Sequence, residues 1–404
     1  MGDLRIEPGQ TPEQVRAVAR RFRREVIDPL VPHVYEWRDP IADRVPWEAI
    51  EEASRRGLRT LGVPADRGGG GAGVLTLCYA AEELARGDMG IAVVLDQTWK
   101  CQESIEALGS DEQKDWFYGR FMSDDRFVLA IAMTEPDTGT DKYIYPDGAM
   151  RTVADRVDGG WRLTGRKRYI SNAADAKLVL MYARTTPDVP LHEGVSCFLV
   201  TNDAEGYAVG EIHEKISQRM INNAELVLED VFVPDGRILG EQDRALGRVG
   251  NPAEVRYVRG GNVEAAATTL GTAGAALDAA MAWGRDRVQG GRPVIEHQVI
   301  AHLLADAGAK LEAARSLVWR AAAAIDAGAP DAPKLTSMAK YHASATAVEV
   351  TLKALEVFGG SGIMLDQPIQ KYLRDVLSFL HSDGTQQTHA HRIIALMRAE
   401  TEES

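Results

Sequence analysis

A chain of 404 residues with a formal net charge of −13 is too long for one simple core. Its acidity opposes nucleic acid or an anionic membrane as main partner. Apolar content is ordinary at 45%, and no long uncharged run could span a bilayer.

The opening MGDLRIEPGQTPEQ lacks a basic-then-apolar secretory pattern, and Cys78, Cys101 and Cys197 are far apart, without metal-ligand spacing. A cytoplasmic protein with buried thiols is expected. In TPEQVRAVARRFRREVIDPL, Thr11, Pro12 and Gln14 predict a capped helix start. Val15, Val18, Phe22, Val26 and Leu30 recur at helical spacing, which puts Arg20, Arg21, Arg23 and Arg24 on a solvated face. VPWEAIEEASRRGL, LTLCYAAEELARG and SIEALGSDEQKDWFYGRFM complete an N-terminal α-helical domain, residues 1–125.

Between 126 and 240 the runs RFVLAIAMTEP, RTVADRV, WRLTGRKRYIS, AKLVLMYART, VSCFLVTND and AELVLEDVFVP are short and β-rich. Asp158-Gly159-Gly160 marks a hairpin, and a β-sandwich or barrel is expected. From 241 to 404 long Ala-rich helical patterns return and predict a C-terminal four-helix bundle, because alanines let helices approach closely. The expected class is multidomain α+β.

Several motifs have two readings. RGGGGAG (67–73) lacks the Lys-Ser/Thr of a phosphate loop and reads as a flexible helix–helix connection. FGGSG (358–362) is a glycine helix end, or a place where backbone comes close to a ligand. AMTEPDTGTD (132–141) is a ligand-binding turn or a self-satisfied one. His389 and His391 are two apart and point to different sides of a helix, so with His381 they imply no metal site. LHSDGTQQTHAH (380–391) reads first as a helix break with Ser382 or Asp383 as cap and Gly384 as turn.

EELARGD, TEPDTGTD, GRKRYISNA, LVLEDVFVP, IEHQ, FGGSG, RD and an acid-Gly-Thr follow one another along nearly the whole chain. In this order they resemble the acyl-CoA dehydrogenase family of flavoproteins. The resemblance implies FAD, an acyl-CoA or acyl-carrier-protein substrate, an electron-transferring flavoprotein as acceptor and a homotetramer. It implies that Met133 and Thr134 hydrogen-bond the flavin, that Tyr169 stacks near it and that Ser171 lies near its reactive nitrogen. Thr140 stands where the family usually has Ser, between cofactor and substrate. Arg287 and Gln289 would reach the pyrophosphate of a neighbouring subunit's FAD, beside Glu356 and the close backbone of Gly359 and Gly360. Thr385 and Gln387 would hold FAD beyond the acid, with Gly384 on the substrate side.

Asp383 then stands as the base that removes the α-proton of a thioester, while flavin N5 accepts the hydride. The usual residue there is Glu, and Asp is shorter by one methylene, withdrawing the carboxylate by roughly 1 Å. Relatives acting on alicyclic acyl-CoAs use aspartate, so a branched or alicyclic acyl group is implied. Asp96 can line the acyl pocket, although its plain reading is a surface or capping residue. An alternative base position falls at Gly261, which has no carboxylate, and Gly290 replaces a frequent aromatic. KYIYPDG (142–148) extends the loop near the expected pocket mouth. Alternatives are a nitroalkane-oxidase-like flavin oxidase, a carrier-protein dehydrogenase and a non-catalytic flavoprotein of the same fold.

Overall fold

The expected capping box starts the first helix, α1 (Pro12–Phe22): Gln14 Oε1 accepts the Thr11 N–H at 2.8 Å while Thr11 Oγ1 accepts the Gln14 N–H at 3.3 Å. In this computed structural model, residues 5–139, 150–246 and 256–402 are described. Helices α2 (Pro32–Tyr35), α3 (Trp47–Arg55), α4 (Val74–Ala85), α5 (Met89–Leu108) and α6 (Asp111–Phe121) follow. The arginine face of α1 is only partly solvated. Arg20 donates to buried Glu83 at 2.8 Å, together with Arg16 at 2.9 Å, and Arg23 lies within 3.6 Å of the same carboxylate. Arg21 pairs with exposed Glu25, as a wet face requires.

The glycine run is no flexible linker. Gly69, Gly70, Gly71 and Ala72 donate backbone hydrogen bonds to the carbonyls of Pro64, Thr60, Val63 and Leu61. A Cβ at Gly69 would fall 2.2 Å from Val63 Cβ, so close backbone approach explains that glycine.

The middle part contains β1 (Leu129–Ala132), β2 (Val153–Val157), β3 (Gly160–Ser171), β4 (Leu178–Arg184), β5 (Val195–Thr201), β6 (Tyr207–Ile212), β7 (Asn223–Pro234) and β8 (Ile238–Leu239). Their order is β6-β7-β3-β2-β4-β5-β8, with β1 parallel to β4. The β2–β3 hairpin turns at Asp158-Gly159, as expected. The sheet is mixed, and β2 meets β4 at a single parallel pair, Val153 with Arg184. Both halves bury side chains in one core, where Trp161, Leu163 and Leu226 meet Val179, Met181 and Phe198. That gives the sandwich character. On the opposite face Leu178, Leu180 and Leu199 pack against Phe117 and Phe121 of α6.

The chain ends in α7 (Arg256–Asp286), the hairpin of β9 (Val288–Gln289) and β10 (Arg292–Pro293), then α8 (Gln298–Asp326), α9 (Ala332–Phe358), α10 (Ile369–Leu377) and α11 (Gln386–Glu402). Buried alanines on α7, α8 and α9 let the long helices close on one another. The same core takes in Leu77, Leu84 and Leu95 from α4 and α5. The N-terminal helices and the bundle therefore share one apolar interior.

The acids of EELARGD each tie this corner to another helix. Glu82 pairs with Arg315 of α8 at 2.8 Å, Glu83 with α1, and Asp88 with Lys371 of α10 at 2.7 Å. Lys371 also pairs with Asp375, which accepts the Gln218 N–H at 2.6 Å. Neighbouring Arg374 pairs with Glu36 and donates to Ile216 O at 2.5 Å. Lys371→Met would leave two buried carboxylates without their cation. It is expected to cost about 3–5 kcal/mol in chemical unfolding, with an accompanying fall in Tm.

Candidate active site

The Ser-Asp-Gly-Thr turn separates a short 3-10 segment, Ser378–Leu380, from α11. The cap is neither Ser382 nor Asp383. Thr385 Oγ1 accepts the Thr388 N–H at 3.2 Å, and Ser382 Oγ donates back to Ser378 O at 3.1 Å. Asp383 is thereby released from the capping role its string suggests. Two buried side chains pin the turn. Lys340 Nζ of α9 donates to Phe379 O at 2.6 Å and Ser382 O at 3.2 Å. His389 Nε2 lies 3.0 Å from Asp383 O. A carbonyl only accepts, so Nε2 carries the proton and Nδ1 is bare. Burial, then the Lys340 charge, lower His389 to about 3, so the ring is neutral. Asp383 has φ +54° and Gly384 φ +86°. At Gly384 a Cβ would also sit 2.8 Å from His389 Nε2, so glycine is required twice.

The Asp383 carboxylate meets Lys100 Nζ of α5 at 2.8 Å, and Lys100 reaches Asp96 Oδ2, one turn earlier, at 2.6 Å. Lys100, Asp96 and Glu264 of α7 are buried; Asp383 keeps 29% of its side chain exposed. Asp96 is therefore neither a surface residue nor a cap. Asp88 is the cap of α5, accepting the Ile91 N–H at 2.7 Å. Burial would lower Lys100, but Asp383, Asp96 and Glu264 outweigh it and hold the lysine charged. Burial raises both Asp96 and Glu264. Half-buried Glu103 is raised to about 8, by burial first and then by Asp96. Gly261 makes room for this arrangement: a Cβ there would lie 3.0 Å from three carbons of the Lys100 stem.

Lys100, Glu264, Lys340 and His389 were not singled out in the sequence as site residues. One signal was present. Asp96 and Lys100 are an acid–base pair at i,i+4, in a helix too apolar to have a wet side.

On the β domain, Met133 and Thr134 follow β1, and Thr134 O accepts the Arg168 N–H at 3.0 Å. The adjoining turn is in part self-satisfied, through Glu135 and Thr138. Buried Lys167 pairs with Glu135 at 2.8 Å and donates to Met133 O at 3.3 Å. Burial lowers Lys167 to about 8, against the Glu135 charge. Tyr169 sits at an irregularity of the β3–β7 register with φ +64° and is 54% exposed, a strained backbone for an aromatic residue. Ser171 Oγ accepts Asn223 Nδ2 at 3.1 Å, and Tyr169 O accepts it at 2.8 Å. Thr140 and KYIYPDG lie outside the described residues.

Arg287, Gln289, Glu356, Gly359 and Gly360 come together around a cleft of about 620 Å³; Met133, Thr134, Tyr169 and Ser171 do not line it. Trp283 and Phe358 stack beside it, centroids 4.8 Å apart. Gly359 ends α9, donating its N–H to Leu355 O and Glu356 O, while a Cβ on Gly360 would meet nothing within 4 Å. The helix-end reading thus covers Gly359, and Gly360 faces open space. Gly290 and Gly291, both at positive φ, form the β9–β10 turn, and a Cβ at Gly290 would lie 3.2 Å from the His297 ring. Gln387 is exposed on the first turn of α11.

The N-terminal, middle and C-terminal domain profiles of acyl-CoA dehydrogenase match residues 10–125, 130–231 and 260–397. The chain belongs to the acyl-CoA dehydrogenase family. It is 33% identical over 378 residues to an acyl-CoA dehydrogenase of Bacillus subtilis, covering 93% of this chain and 95% of that one. It is also 33% identical over 369 residues to the cyclohexane-1-carbonyl-CoA dehydrogenase of Geobacter metallireducens, covering 90% and 92%. The butyryl-CoA dehydrogenase structure from Megasphaera elsdenii superposes with a TM-score of 0.86 at 29% identity, over 97% of this chain and 99% of that one. This acyl-CoA dehydrogenase relative is an oxidoreductase of the FAD-dependent thioester-dehydrogenase type, acting on CH–CH bonds.

The neutral His389 makes a pH prediction. Its folded pKa lies below the unfolded value of about 6.5, so between those values the unfolded chain binds the extra proton. This contribution is complete above pH 6.5 and is lost as pH falls toward 3. His389→Gln keeps a donor for Asp383 O without a titrating ring. In chemical unfolding at a series of pH values it should flatten the acid limb by up to about 1.4 kcal/mol per pH unit.

Proposed function

We propose that Asp383 removes the α-proton of an acyl thioester as hydride leaves the β-carbon. The carrying observation is that, of Asp383, Lys100, Asp96 and Glu264, only Asp383 is open to a ligand. The turn that presents it is held from behind and has its helix cap supplied by another residue. Among the described residues, the backbone N–H groups of Asp383 and Gly384 donate no hydrogen bond. They are available to the thioester carbonyl, onto which the carbanion charge delocalises.

FAD, when bound, supplies the hydride acceptor at N5. The residues present fit it. Met133, Thr134, strained Tyr169 and Ser171 offer polar groups and an exposed aromatic ring. Arg287, Gln289, Gly359 and Gly360, with Glu356 at the rim, offer a cation and open backbone for a pyrophosphate. Thr385 and Gln387 would hold it from the start of α11. Two residue groups that do not line one cleft suit an assembly in which one subunit's bundle serves another's cofactor, as a homotetramer. An electron-transferring flavoprotein is the proposed electron acceptor, a reading supported by family membership.

The shorter aspartate favours a substrate whose α-carbon is brought nearer the turn. Similarity to the cyclohexane-1-carbonyl-CoA dehydrogenase supports a branched or alicyclic acyl-CoA. Anaerobic titration with straight, branched and alicyclic acyl-CoAs should bleach the flavin absorbance with the last two classes; no bleaching by any class overturns the acyl-CoA assignment. Asp383→Asn should retain FAD and slow flavin reduction by about a hundredfold or more. An unchanged rate would make Asp383 a turn residue only.

A further inference from the structure

We propose that Lys100 is the positioning residue of the aspartate base, and that Asp96 behind it offsets the lysine charge so that Asp383 still accepts a proton. The inference rests on the proposed role of Asp383 and deepens it.

A lysine alone against a catalytic carboxylate would hold it in place but weaken it as a base, because the ion pair is lost on protonation. Lys100 is not alone with Asp383. It lies between two carboxylates, at 2.8 Å from Asp383 and 2.6 Å from Asp96. Taken together, Asp383, Lys100 and Asp96 carry one excess negative charge before the reaction. When the Cα–H bond breaks and its proton passes to Asp383, Lys100 and Asp96 remain as a neutral buried pair. The Cα–H electron pair becomes the C=C bond, and FAD, when bound, would supply the acceptor for the hydride that leaves Cβ. Proton uptake thus relieves a charge imbalance that Asp96 creates, without removing the lysine that fixes the carboxylate.

Among the described residues, charged and titratable groups face Asp383 from four helices. Asp96, Lys100 and Glu103 come from α5 and Glu264 from α7. Lys340 comes from α9, while His389 and Arg392 come from α11. Lys340 is committed to two carbonyls of the turn, and His389 is neutral on a third. Among the described residues, Lys100 is the cation that touches the Asp383 carboxylate. Gly261 adds an independent sign: the neighbouring helix has no side chain where the lysine stem passes.

The test is stopped-flow flavin reduction of the FAD-loaded protein across pH, using the acyl-CoA that bleaches it. Lys100→Met should keep FAD, reduce the rate at least about tenfold and raise the pH midpoint of the rate by about one unit. Asp96→Asn should lower that midpoint, because Lys100 then faces Asp383 alone. Lys100→Arg should recover part of the rate. A purely structural lysine would move stability while leaving both midpoints in place, and that result overturns the inference. Should Lys100→Met fail to fold, Lys100→Met with Asp96→Asn removes both charges: the rate should still fall at least about tenfold while the midpoint moves less than in Asp96→Asn, and an unchanged rate overturns the inference. Loss of reduction in Asp383→Asn with a wild-type profile in Lys100→Met refutes the lysine role alone. Activity in Asp383→Asn refutes the base itself.

Discussion

An ionic knot on α10 fixes the geometry on which the rest depends. Lys371 joins Asp88, the cap of α5, to Asp375, which holds the Gln218 N–H from the β domain. Arg374 beside it spans from Glu36 to Ile216 O. Such buried charges are expensive to desolvate and contribute little net stability as pairs. Their effect here is on placement, because any other arrangement strands a charge in the interior. The knot sets where α5 begins and where α10 ends. About three helical turns along α5 lies Lys100, and a few residues beyond α10 lies Asp383.

The candidate active site repeats this logic at closer range. Lys100 sits between two carboxylates, and Lys340 and His389 satisfy the carbonyls of the turn. Gly261 and Lys100 occupy one volume between two helices, so a side chain at either position excludes a long one at the other. On the β domain the strained backbone of Tyr169 carries an exposed aromatic ring, with His213 beside it. That strain is held by the β3–β7 ladder on either side.

Much of the architecture was legible because it rests on local periodicity. The capping box at Thr11 and Gln14, the Asp158-Gly159 hairpin and the long Ala-rich helices depend on neighbours in sequence. Readings failed where a partner came from far away. Arg20 and Arg23 looked solvated on their own helix, but Glu83 waits on α4. The glycine run looked flexible, but carbonyls of residues 60–64 bind it. Asp96 looked like a cap or surface acid when read alone, although the apolar run around it left α5 without a wet side. The second carboxylate on Lys100, that of Asp383, comes from far along the chain.

By itself the sequence determined the helical–β–helical order, the turn chemistry at Gly384 and the acid-Gly-Thr string that marks Asp383. Those follow from backbone preferences and hydrophobic spacing, which act over a few residues. Only the tertiary structure decided what Asp383 is. It handed the cap to Thr385, brought Lys100 and Asp96 from nearly three hundred residues away, and left one carboxylate of the cluster within reach of a ligand. The reason is physical: a charge's role is set by the dielectric and the partners around it, and packing supplies both.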